Sequence, residues 1–195
     1  MTEPNESGFT LVEIMVAVFI LGISVIGIAA MQLHALRTTQ QSAFQSTAIE
    51  LASEIANRMR ANTHQMKLVD SLNPFLHLDF QSATHTAMPP RVSCYTSDCD
   101  AAELAQFDIH EWKRRIKAEL PGGRIRICRD ASPWDSAAGA FRWACSSPGN
   151  AENNTSLVVK IGWQGKGFAP DGSLLKGNSK HFPPSVAVTV EPTPN

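Results

Sequence analysis

Residues 8–31 read Gly-Phe-Thr-Leu-Val-Glu-Ile-Met-Val-Ala-Val-Phe-Ile-Leu-Gly-Ile-Ser-Val-Ile-Gly-Ile-Ala-Ala-Met, an apolar run carrying one carboxylate, Glu13, near its front. The run has the roughly 20 residues that a helix needs to cross a bilayer. A charge at the centre of such a segment costs about 2.5–3.5 kcal/mol on insertion scales, so Glu13 asks for a reason. A short polar stretch, Met1 to Gly8, precedes the run, and no Lys or Arg occurs before Arg37. A secretory signal has a basic front, a short apolar core and a small-residue cleavage site after that core. Here the small residue, Gly8, stands before the core. The expectation is a leader, 1–8, removed at Gly8, and a retained transmembrane segment, 9–31.

The string Gly8-Phe9-Thr10-Leu11-Val12-Glu13, running on into a long apolar helix, resembles the class III signal of type IV pilins and of type II secretion pseudopilins. The resemblance implies that a prepilin peptidase cuts between Gly8 and Phe9 and methylates the new amino terminus. It also implies that Glu13 meets the Phe9 amine of a neighbouring subunit in a filament. Physical chemistry alone asks only that a buried carboxylate find a cation or take up a proton, and the Phe9 amine of the same chain, one helical turn earlier, is as open to it as that of a neighbour. Methylation would keep the charge of the amine while adding apolar surface. Leaders in this family are usually basic, whereas this one carries Glu3 and Glu6 and no cation.

The helix is expected to continue to residue 62. No Pro or Gly occurs from Met31 to Asn62, and Phe44, Ala48, Leu51, Ala52, Ile55 and Met59 recur at three- and four-residue steps. The other face is polar, as in an amphipathic helix packed on a domain. From Leu11 to Asn62 such a helix reaches roughly 75–80 Å at 1.5 Å per residue. Its end, Glu50 to Asn62, resembles that of PilV-type minor pilins, the type IV pilus modification proteins. Gly22 and Gly27 interrupt the apolar half. They fit either close helix–helix approach or local unwinding on transfer from bilayer to filament.

Residues 63–93 lack periodicity, contain Pro89-Pro90, and read as a connecting region. His64, His77 and His85 match no compact zinc spacing. Four cysteines follow, Cys94, Cys99, Cys128 and Cys145. In a translocated chain an even count argues for disulfides, with three possible pairings. The favoured one is Cys94–Cys99, closing a small loop, with Cys128–Cys145, joining two apparent neighbouring strands. The spacing is a poor zinc pattern.

Asp100 to Glu103 and Asp108 to Glu111 both have capping-box spacing. Ile109, Trp112, Ile116 and Leu120 then form an apolar helix face that Pro121-Gly122-Gly123 ends. Trp112 reads as core. The order Cys99, Ala105, Phe107-Asp108, Glu111-Trp112, Leu120 to Gly123 again resembles PilV-type minor pilins. After Gly123 the pattern becomes that of strands, at 124–128, 140–145, 156–163 and 186–190, with loops over 130–139 and 165–185. The whole is α+β: a long N-terminal helix, 9–62, half transmembrane and half amphipathic, packed on an antiparallel sheet in a disulfide-stapled head, 94–195.

Seven cations, Lys113, Arg114, Arg115, Lys117, Arg124, Arg126 and Arg129, crowd one stretch of a nearly neutral chain. Glu111 and Glu119 lie among them, with no interleaved aromatics for stacking on single strands, so the patch argues against DNA as a partner more than for it. There is no Gly-x-Ser-x-Gly, His-Glu-x-x-His or phosphate loop, and no cofactor or metal is called for. The expected function is that of a non-catalytic minor pilin in pilus assembly, initiation or a tip complex. A minor pseudopilin of a type II secretion system and a DNA- or surface-binding pilin are the alternatives. The expected partners are prepilin peptidase, minor and major pilins, the inner-membrane assembly machinery, and membrane lipid before assembly. The expected location is the inner membrane with a periplasmic head, then the filament or its tip.

Overall fold

The computed structural model describes residues 10–85, 93–146, 155–164 and 182–190. The chain divides into two units, 1–42 and 43–195. Helix α1 spans Leu11–Ala61. Thr10 opens it in the manner of an N-cap: its Oγ1 accepts from the Glu13 amide at 3.4 Å, and its carbonyl accepts from the amides of Glu13 and Ile14. In the first unit every described residue is exposed, Leu11, Phe19 and Ile26 among them. Ser24, Thr38 and Thr39 donate their hydroxyls to carbonyls four residues back, so these polar groups are satisfied within the helix.

In the second unit the last part of α1 buries Ala48, Leu51, Ala52, Ile55, Ala56 and Met59, the stripe that the spacing predicts, with Phe44 partly buried beside it. Asn62 ends the helix. Its side chain accepts from the Gln65 amide to start the short helix α2, Thr63–Met66, and donates to the Ala101 carbonyl.

The segment read as a connecting region is part of the core. After a 3₁₀ turn, Pro74–His77, it forms the edge strand β1, Asp79–Gln81, and buries Phe75, Leu78 and Phe80. Its apolar residues belong to a turn and a three-residue strand, too short to show a period. Residues 86–92, with Pro89-Pro90, lie outside the described residues.

Helix α3, Ala101–Glu119, begins at a true capping box: Asp100 accepts from the amides of Ala102 and Glu103, and Glu103 accepts from the Asp100 amide. The second capping-box spacing, at Asp108, starts nothing. Asp108 lies buried in mid-helix and accepts from Arg58 of α1 at 2.6 Å. Ile109, Trp112, Ile116 and Leu120 are buried as expected, with the Trp112 ring 5.7 Å from Phe75. Gly122 turns the chain at φ +59°, a conformation that favours glycine.

The main sheet has the order β1-β2-β5-β6, all antiparallel, with β2 Arg124–Arg129, β5 Leu157–Gly162 and β6 Val186–Val190. Ile125 pairs with Ile161 and Ile127 with Val159, on the face that meets α1 and α3. The opposite face carries Arg126 beside Lys160 and Cys128 beside Val158. β5 is nonetheless buried at all six positions, because the segment after β2 covers that second face. The sequence predicts a strand over 140–145. The structure holds only a two-stranded ribbon, β3 Trp134–Asp135 with β4 Ala140–Phe141. Beyond it the carbonyls of Arg142, Trp143 and Ala144 turn to Lys160 and Arg126 side chains rather than to a strand.

Candidate functional site

Two places concentrate chemistry. The first is the N-terminus. Gly8 and Phe9 lie outside the described residues. Glu13 sits in the exposed first turn of α1, where the positive end of the helix dipole favours a carboxylate by about 0.3–1 kcal/mol. That local gain is smaller than the cost of a charge in hydrocarbon, so a cation is still wanted. A Cβ added at Gly22 or Gly27 would meet nothing within 4 Å, so no packing among the described residues requires either glycine. α1 is long and apolar enough to cross a membrane.

The second is the loop over the outer face of the sheet. Cys128 is bonded to Cys145, with Cα atoms 6.2 Å apart, and Cys94 is bonded to Cys99. Cys145 lies in irregular chain rather than on a strand beside β2, so the bridge ties a loop to the sheet. Inside that loop Asp130 accepts from the Lys160 ammonium at 2.5 Å, from the Ser146 hydroxyl at 2.8 Å and from the Ser132 amide at 3.0 Å. Lys160 gives its other protons to the carbonyls of Arg142 and Ala144. Burial pushes the Asp130 carboxyl up, but Lys160, Ser132 and Ser146 together hold it below its ordinary value. An ammonium with three acceptors is a structural cation, not a nucleophile. Sequence reading missed it, since one Lys in an apolar strand gives no signal of what will cover it.

The basic stretch is largely neutralised. Arg114 pairs with Glu111, Arg115 with Glu54 and Glu119, Arg124 and Arg126 with Asp79, and Arg129 with Asp70. The Arg124 guanidinium also lies 4.4 Å over the Trp143 ring. His64 contacts Gln65, His77 the Ser71 carbonyl, and His85 Thr84 and Gln81. Among the described residues no group of three His, Cys, Asp or Glu side chains is placed to hold a metal ion.

A long apolar N-terminal helix followed by a small antiparallel sheet is the α+β arrangement of a type IV pilin. The family model of the prokaryotic N-terminal methylation motif matches residues 4–29, and that of the Tt1218-like family, described as type IV pilin Tt1218, matches residues 30–110. These consecutive matches support a type IV pilin of a pilus or pseudopilus system. The methylation motif implies processing by a prepilin peptidase and other pilins as partners. Among curated proteins and among solved structures nothing matches.

Proposed function

We propose that this chain is a minor pilin of a type IV pilus, of PilV type, that enters the filament through α1 and acts in assembly, initiation or a tip complex. The observation that carries this reading is the first unit. Its apolar side chains, from Leu11 to Leu36, are exposed among the described residues, a surface suited to lipid or to the helices of other subunits. Before assembly the same helix anchors the protein in the inner membrane, with the 43–195 unit in the periplasm. The role is structural, without catalysis. The ion pairs on the basic stretch leave little free positive charge for nucleic acid, which disfavours the DNA-binding alternative.

The test is deletion of the gene with complementation, scored by filament counts and by mass spectrometry of sheared filaments. A minor pilin of the pilus leaves few or short pili when deleted and is found in them in small amount. Normal piliation with a lost secretion phenotype would instead assign the chain to a type II secretion pseudopilus.

A further inference from the structure

A pocket of about 370 Å³ lies between the 71–78 segment and α3, wholly within the 43–195 unit. Its apolar wall includes Leu72, Leu78 and Ile109, and its polar groups include Ser71, Gln106 and Lys113. Gln106, Ile109 and Lys113 are spaced i, i+3 and i+7, one stripe of α3. The opposite wall is fixed by a hydrogen bond between the His77 ring and the Ser71 carbonyl at 3.1 Å.

Lys113 differs from its neighbours on the helix. Arg114 and Arg115 each hold a carboxylate, and Lys117 is exposed to solvent. Lys113 is half-buried and has no carboxylate partner among the described residues. Burial alone pushes its ammonium below the ordinary lysine value. A partly desolvated cation beside an apolar wall gains most from an anion on an apolar stem. The volume suits one or two side chains and falls at the small end of ligand pockets.

We infer that this pocket is a docking site for an acidic segment of a partner protein, a Glu or Asp next to an apolar residue, with the carboxylate on the Lys113 ammonium and the apolar neighbour against Leu72, Leu78 and Ile109. Charge complementarity selects the acidic partner, and the apolar wall selects a peptide over a free anion. The pocket's chemistry does not depend on what the apolar helix does.

The test is an amide NMR titration of the full-length chain in detergent micelles with N-acetyl-Leu-Glu-amide, N-acetyl-Leu-Gln-amide and sodium acetate. The expected result is saturable shifts at Leu78, Ile109 and Lys113 with the Glu peptide. Binding of the Gln peptide should be about tenfold weaker, as loss of a charge-assisted hydrogen bond gives at least that factor. Lys113→Met, which keeps an apolar stem, should lose the preference for Glu over Gln, and Lys117→Met should keep it. Equal response to both peptides, an unchanged preference in Lys113→Met, or acetate binding as well as the Glu peptide would each overturn the assignment. Absence of saturable shifts would do the same.

Discussion

The Lys160 ammonium stands 2.5 Å from the Asp130 carboxylate, with neither side chain exposed to solvent. The two residues are thirty apart in sequence, and the Cys128–Cys145 bridge closes the loop that brings them together. Ion pair and disulfide therefore secure the same cover on the outer face of the sheet.

Removing one partner of a buried pair leaves the other charge uncompensated, at about 3–5 kcal/mol. Asp130→Asn and Lys160→Met should each lower the stability of the 43–195 unit by that order. Thermal unfolding followed by near-ultraviolet circular dichroism of the four tryptophans would read it. Little change in either variant would mean that the pair merely occupies space.

Asp108 predicts a contrast. It too is buried, but its partner Arg58 is half-exposed and shared with Glu54. Burial pushes its carboxyl above the ordinary value, against the pull of Arg58. Asp108→Asn should therefore cost about 1 kcal/mol or less, the range of pairs open to solvent. A loss as large as that of Asp130→Asn would contradict this.

The same two carboxyls set opposite pH trends. Asp130, held low, contributes stability above the ordinary aspartate value of about 4, and that contribution is lost as pH falls through its lower folded value. Asp108, pushed up, contributes fully below the ordinary value and loses its contribution as pH rises through its higher folded value. Denaturant titrations from pH 3 to pH 7, about the range in which carboxylates titrate, should show Asp130→Asn flattening the acid limb of the profile. Asp108→Asn should remove a decline just above it.

Loss of the longer bridge is a separate expectation. Cys128 and Cys145 are seventeen residues apart, and closing a loop of that length stabilises by about 3 kcal/mol in the chain-entropy account. The paired Ser substitutions should lower the unfolding midpoint accordingly. Opening the bridge between Cys94 and Cys99, only five positions apart, should cost less.

How far these features could be read from the chain differs by element. The α1 stripe, the buried face of α3 and strands β2, β5 and β6 follow from periodicity, because each buries one face or one long run. Phe75 and Phe80 gave no such signal, as their elements are shorter than any period. The alternation at 140–145 was real but local: beyond Phe141 the backbone serves Lys160 and Arg126. Asp108 looked like a cap because spacing cannot show a partner fifty residues away on α1. Gly8, Phe9 and Glu13 stand in the stretch that the N-terminal methylation model matches, residues 4–29, and their proposed roles concern a peptidase and other subunits, on which this chain's own packing has no bearing.

Processing gives its own prediction. Mass spectrometry of the mature chain should find N-methyl-Phe9 at its start, and Gly8→Val should block cutting by crowding the site with a branched side chain. A mature terminus beyond residue 25 would mark an ordinary signal peptide.

Glu13 provides the most direct measurement of the central claim, that the apolar helix enters a filament with its carboxylate paired to a neighbouring amine. Glu13→Gln removes the charge and should leave membrane insertion and cleavage intact, since the cost of the charge in hydrocarbon disappears. Fractionation of cells and sheared pili, probed for this protein, should then find the variant in membranes and missing from pili. Native levels of the Glu13→Gln chain in sheared pili would contradict the account.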